Sequence, residues 1–107
     1  MIEVTYHRRF HRITATGHAC SGEKGHDLVC ASVSALVLTC AANVGSLATQ
    51  GSVKKPVLRL ETGNAEISCE PVHRMKNVVT LMLDTVCTGF SVLQEYYPEN
   101  ICYRVFE

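Results

Sequence analysis

Ile2, Val4 and Tyr6 alternate with Glu3, Thr5 and His7, the two-residue period of a half-buried strand. Arg8-Arg9 predicts a turn, and Phe10 to Thr16 predicts the returning strand, ended by Gly17. From Cys20 to His26 the chain is polar and carries Gly22 and Gly25, which predicts a mobile surface loop. Asp27 then predicts a helix N-cap, with the helix opening at Leu28. Val29, Val33, Leu36, Cys40, Val44 and Leu47 recur at steps of three and four, predicting one buried stripe. Gly51 to Pro56 breaks that pattern. Val57–Glu61 and Ala65–Glu70 predict a second hairpin, turning through Thr62-Gly63-Asn64.

Arg74 to Tyr97 predicts a second amphipathic helix. Val78, Met82, Val86, Gly89, Leu93 and Tyr96 are expected along its buried face, with Lys76, Thr80, Asp84, Thr88 and Glu95 turned away. Pro98 stops it, and Ile101 to Phe106 predicts a final strand. The order ββαββαβ implies an α+β domain with a mostly antiparallel sheet and two packed helices. Its 107 residues suit a single domain, 1–107.

Composition adds exclusions. The chain is 47% hydrophobic, enough to bury a core. Ten Lys and Arg balance ten Asp and Glu, so the basic surplus common in nucleic-acid-binding proteins is missing and direct nucleic-acid binding is not expected. The local run His7-Arg8-Arg9-Phe10-His11-Arg12 is read as a solvated hairpin tip, with an RNA-facing patch as its rival. Six cysteines raise the question of a secreted disulfide scaffold. MIEVTYHRRF has no apolar signal region, which predicts a cytoplasmic protein. Cys40, Cys69, Cys87 and Cys102 sit in periodic apolar segments, where a reduced cysteine behaves as a small hydrophobe. Leu28 to Ala48 carries no charge and is long enough to span a bilayer. Its Ala, Ser and Thr content, Asn43, Gly45 and strand-like flanks instead predict a helix buried by its own domain or a partner subunit.

His18 and Cys30 carry the chemistry. With Asp27 as cap, Cys30 is expected as the third helical residue, near unpaired N–H groups and the positive end of the helix dipole. Such a position favours a thiolate, and an adjacent imidazole would complete a nucleophile–base pair. The same N–H groups would serve a tetrahedral intermediate as oxyanion donors. Two other readings stand beside this one. Cys30 is a buried thiol with His18 at the surface, or His18, Cys20, His26 and Cys30 form an H-x-C-x5-H-x3-C zinc array. Loop glycines and the unusual spacing oppose the metal.

Gly17-His18-Ala19, followed after a loop by Gly25-His26-Asp27-Leu28-Val29-Cys30-Ala31-Ser32-Val33-Ser34, resembles the signature of the ribosomal-processing cysteine proteases. Both blocks match at the family's His-to-Cys spacing. Leu28 and Ser32 stand where the family has Ile and Ala, and Cys20 falls outside its pattern. The resemblance implies Cys30 as nucleophile and His18 as its base and imidazolium partner. Gly17 would allow close backbone approach beside the histidine. Asp27 would orient His18 or cap the helix, and Ser34, one turn beyond Cys30, would support the site. The implied activity is removal of the N-terminal extension of large-subunit ribosomal protein twenty-seven, at a Phe-Phe-Ala-like site, by a homodimer. No cofactor or metal is expected. The rival from another class is a non-catalytic ribosome-assembly or RNA-binding module built on Arg8, Arg9 and Arg12.

Overall fold

A computed structural model describes the backbone of residues 1–17 and 24–107, and the side chains of 1–17 and 28–107. The alternating N-terminal segment forms β1 (Ile2–His7), and a 3-10 turn over Arg8–Phe10 leads into β2 (Arg12–Thr16). Then come α1 (Lys24–Thr49), β3 (Val53–Glu61), β4 (Asn64–Pro71), α2 (Lys76–Tyr96) and β5 (Ile101–Phe106). The expected α+β order is therefore realised.

The five strands lie in the order β3-β4-β2-β1-β5. All neighbours are antiparallel except β1 and β5, which run parallel. Register places Val4 opposite Ala15 and Tyr6 opposite Ile13, with Ile13 opposite Ile67 on β4. Those residues are buried on one face together with Ile2, Cys69 and Ile101. Both helices cover that face. The other carries Glu3, Thr5, His7, Arg12, Thr14 and Thr16, as the two-residue period requires.

In α1 the buried stripe is Val29, Val33, Val37, Cys40, Ala41 and Val44, with Leu36 and Leu47 packed at its margins. This matches the expected face. Two boundaries differ from expectation: β3 begins at Val53 and not Val57, its strand pairing with β4 extending through Lys54, and α1 begins early. The helix begins at Lys24, so Asp27 lies in its first turn instead of capping it, and Lys24 to His26 belong to helix, not loop. A polar, glycine-bearing approach hid that start, because Asp27 was the first residue with a strong capping signal. Residues 18–23, which include His18 and the first part of the expected loop with Cys20, lie outside the described residues.

A further correction concerns α2. Val79, Leu83, Val86, Cys87 and Phe90 are its buried residues, one position round from the expected stripe. Val78 and Tyr96 are exposed. Two long-range contacts set this rotation. Tyr6 Oη donates to Asp84 Oδ1 at 2.8 Å, and His11 Nε2 lies 2.9 Å from Thr80 Oγ1. Thr80 and Asp84, expected to face away, thus turn toward the β1–β2 end. Arg8 adds a forked pair to Asp84, Nε to Oδ1 at 3.0 Å and a terminal nitrogen to Oδ2 at 3.1 Å. At the helix–helix crossing, Gly89 packs against Leu36; a Cβ there would lie 2.8 Å from both Leu36 methyl carbons. Leu28–Thr49 and His73–Tyr96 are long and apolar enough to cross a membrane, yet each supplies core residues against the sheet.

Candidate active site

Antiparallel strands and returning helices bring one end of the domain together: the start of α1, the end of β2, the β3–β4 turn and Met1. A cavity of about 360 Å³ opens there. One wall is α1, with Cys30, Val33, Ser34, Val37 and Leu38. These positions share a face because residues three and four apart on a helix are neighbours. Ile2 and Ala15 contribute from the central strands, and Leu60 and Ala65 from the second hairpin. Glu61, Thr62, Gly63 and Asn64 form the turn above it. The lining is apolar with a polar rim, the usual build of a site that holds apolar side chains by burial and orients backbone by hydrogen bonds.

Cys30 is partly exposed and unbridged. Cys40, Cys69 and Cys87 are buried free thiols, and desolvation pushes them up, to about 12 for Cys40 and Cys87 and about 11 for Cys69. Protonated at neutral pH and sealed in the core, these three are inert. Cys40, Cys69 and Cys87 are thus the packing cysteines expected from sequence, whereas Cys102, expected with them, is half-buried opposite Glu3 on the face away from the core.

Gly17 has φ +105° and lines the cavity beside Cys30. Its N–H donates to the Gly63 carbonyl at 3.0 Å, tying the exit of β2 to the β3–β4 turn. A Cβ on Gly17 would lie 2.3 Å from the Met1 carbonyl oxygen, so the backbone conformation and the close approach both require glycine. Hence the residue before His18 and the Cys30 thiol border the same cavity. Ser34 is exposed at its edge, one turn beyond Cys30. The side chain of Asp27 lies outside the described residues. So do His18 and Cys20 of the zinc alternative; among the described residues no three His, Cys, Asp or Glu side chains cluster for a metal.

Cys30 is the seventh residue of α1, not the third. In an α-helix the N–H of that residue is bonded to the carbonyl four positions back, so it is not a free oxyanion donor. The unpaired N–H groups belong to the first turn, residues 24–27. The thiol still leans toward them, because helical side chains tilt toward the N-terminus. Sequence reasoning missed the β3–β4 turn as a part of the site. Its Thr-Gly-Asn sequence signals a turn, but only the pairing of Thr16 with Asn64 brings it to the cavity.

A partly exposed thiol on a helix wall, facing an apolar cleft under a hairpin turn, is an arrangement a cysteine protease can use, and comparison with known proteins puts the chain in that class. Residues 1–102 match the family described as cysteine protease Prp, and the chain belongs to that family. A ribosomal processing cysteine protease Prp of Mycoplasma pneumoniae is 38% identical over 96 residues, covering 88% of this chain and 86% of that one. The crystal structure of an essential ribosomal processing protease Prp from Staphylococcus aureus in complex with a substrate peptide superposes with a TM-score of 0.72 at 26% identity. It covers 99% of this chain and 100% of that one. The same S. aureus enzyme with a covalently linked product peptide gives a TM-score of 0.69 at 26% identity, over 98% and 97% of the two chains.

Proposed function

We propose that this cysteine protease removes the N-terminal extension of large-subunit ribosomal protein twenty-seven, cutting at a Phe-Phe-Ala-like junction in the cytoplasm. The observation that carries the reading is Cys30 on the wall of an apolar cavity of about 360 Å³. Aromatic residues next to the scissile bond would fill such a cleft and gain burial energy there. The Cys30 sulfur attacks the scissile carbonyl and forms a thioester as the peptide C–N bond breaks. His18, as imidazolium, gives its proton to the leaving amine and then activates water for deacylation. Gly17 and Ser34 border the reacting thiol, and Asp27 acts on His18 or on the start of the helix. The covalently linked product in the S. aureus relative supports an acyl-enzyme route.

The active form is a homodimer. The seam of Met82, Val86 and Gly89, compatible by sequence with either core or interface, is taken up largely by the core and by Leu36. The uncharged outer stripe of α2 takes their place: Val78, Leu81, Thr85, Thr88, Val92 and Tyr96 share one helical face and are all exposed. Light scattering is expected to give twice the chain mass, and Leu81→Glu the single mass; a monomeric wild type overturns this assembly.

The decisive experiment incubates the reduced, folded protein with a peptide bearing the Phe-Phe-Ala junction, read by mass spectrometry. One cut at that junction is expected, and Cys30→Ala should reduce it by at least about 10³-fold. An intact peptide would overturn the specificity, and cleavage by Cys30→Ala would overturn the nucleophile.

A further inference from the structure

β3 is an edge strand, and its outer side is blunted at one end only. An uncovered edge offers a row of unpaired N–H and C=O groups, which proteins usually protect with prolines, lysines or bulges. In β3 that protection is confined to the first half. Lys54, Lys55 and Pro56 lie there, Lys55 has φ +49°, and the pairing with β4 shifts between Lys54 and Val57. From Val57 to Glu61 the pairing is regular, and among the described residues no strand lies on the outer side. The unprotected half runs up to the Cys30 cavity, which Leu60 and Glu61 line.

Register fixes which groups face outward. The turn Thr62-Gly63 closes on the pair Glu61–Asn64, and across a two-residue turn that pair exchanges both backbone hydrogen bonds. Inward-facing groups therefore belong to Glu61, Arg59 and Val57, and outward-facing ones to Leu60 and Leu58. The Leu60 and Leu58 side chains stand on the helix side of the sheet, because their partners are Ala65 and the buried Ile67. Across from them, Cys30, Ser34 and Leu38 follow at four-residue steps on α1, and a Cβ on Gly45 would meet Leu58 at 3.8 Å. Leu38, Leu58 and Leu60 are 56%, 42% and 46% exposed. Three half-exposed leucines thus wall a groove that ends at the thiol. From Cys30 to Leu38 it is about 12 Å long at 1.5 Å per helical residue, the length of roughly four residues of extended chain.

We propose that the substrate peptide binds as an added strand on this edge, its backbone bonded to the N–H and C=O groups of Leu58 and Leu60. The inference rests on the reading that the protein cuts at a Phe-Phe-Ala-like junction, and it assigns where the phenylalanine side of that junction lies. The groove is apolar along its leucine walls and continuous with the cavity. It therefore takes the apolar side of the junction, with alternate side chains turned in between Leu38 and Leu60. The peptide runs toward Cys30 in the same direction as β3, which reaches the cavity with Leu60 after Leu58. In parallel pairing each outward residue of β3 donates its N–H to the peptide and accepts one in return, so the peptide uses every second N–H of its own. Main-chain bonds hold the extended chain, and the leucines select apolar side chains.

The test is cleavage of a peptide bearing the junction, beside four copies each N-methylated at one of the second to fifth residues before the alanine. Two alternate copies should lose at least about tenfold in kcat/KM, and the other two less than about threefold. Leu60→Pro removes an outward N–H without touching the bonds to β4, since an edge strand tolerates proline on its solvent side. Its KM should rise at least about fivefold above that of Leu60→Ala, with matching thermal melts. Leu38→Lys locates the groove without altering β3: KM should rise at least about fivefold while alkylation of Cys30 by iodoacetamide keeps its rate. An uncut parent peptide overturns the specificity and this binding mode with it. A cut parent with no alternation among the four copies overturns strand pairing alone. An unchanged KM in Leu38→Lys, or equal KM in Leu60→Pro and Leu60→Ala, takes the peptide off this edge and overturns the proposal. So does a halved mass of Leu60→Pro in light scattering, which would give the edge to a second copy of the chain.

Discussion

Gly17→Ala tests whether backbone geometry at the end of β2 holds the site together. Alanine at φ +105° costs about 1–2 kcal/mol in backbone strain alone. Its Cβ would also lie 2.3 Å from the Met1 carbonyl oxygen and 3.3 Å from the Ile2 Cα. Neither neighbour yields freely. Ile2 is buried, and its N–H donates to the Asn100 carbonyl at 2.9 Å. Relief therefore comes from moving residue 17, which stretches the 3.0 Å bond to Gly63 and adds about 0.5–1.5 kcal/mol. The sum is about 1.5–3.5 kcal/mol, or roughly 7–16 °C in Tm for a domain of this size. Gly51→Ala supplies the comparison, since Gly51 has φ +74° but nothing within 4 Å of its Cβ. It should cost about 1 kcal/mol. Urea unfolding followed by circular dichroism measures both variants. If Gly17→Ala costs no more than Gly51→Ala, the close approach to Met1 is not a constraint and the reasoning fails.

Other expectations concern the core and its polar anchors. Tyr6→Phe removes the bond to Asp84 and should lower unfolding free energy by about 1.5 kcal/mol, with the Cys30 cavity unchanged; an unaltered urea midpoint would count against the anchor. Gly89→Val should cost about 1–3 kcal/mol by overpacking against Leu36, measured by thermal melting; an unchanged or raised Tm would show that the crossing has room. Burial, then the nearby Lys76 and Arg8 charges, depress the His11 imidazole below its ordinary 6.5, although Asp84 opposes this. A depressed histidine contributes stability that is complete above 6.5 and lost as pH falls through its folded value. Urea midpoints between about pH 7.5 and 5 should therefore fall more for wild type than for His11→Asn, chosen because asparagine tolerates the φ of +50° there. Parallel pH curves would refute it.

Much of this fold was legible because strand alternation and helix periodicity leave few alternatives. The rotation of α2 was not. Val78, Leu81, Val92 and Tyr96 form an apolar outer stripe, and Val79, Leu83, Val86 and Phe90 an inner one, so periodicity fits either face. Tyr6 and His11 choose between them through Asp84 and Thr80, and those partners lie 78 and 69 residues away. The cavity was half legible. Its α1 wall follows from spacing around Cys30, but its roof is the Thr62–Asn64 turn, which arrives by strand pairing. Net charge carries no information on where charges lie. A sum over 107 residues hides that the hairpin run and the start of α2 share one end.

The position of Cys30 sharpens what His18 must do. Were Cys30 the third helical residue, the helix terminus itself would activate the thiol, and His18 would add to an existing effect. As the seventh residue of α1, it stands beyond the first turn, where the favourable influence of the dipole on a negative charge fades. Its own N–H is bonded within the helix. No cationic side chain among the described residues borders the cavity that Cys30 faces. In the proposed mechanism activation is the task of the imidazole that the resemblance assigns to His18, and His18→Gln should slow alkylation of Cys30 by iodoacetamide at neutral pH at least about tenfold. Cys40, Cys69 and Cys87 do not interfere, being buried, and peptide mapping separates Cys30 from Cys20 and Cys102. Alkylation at the wild-type rate in His18→Gln would mean that the first turn of α1 activates the thiol without help, and the imidazole would then serve only in protonating the leaving amine.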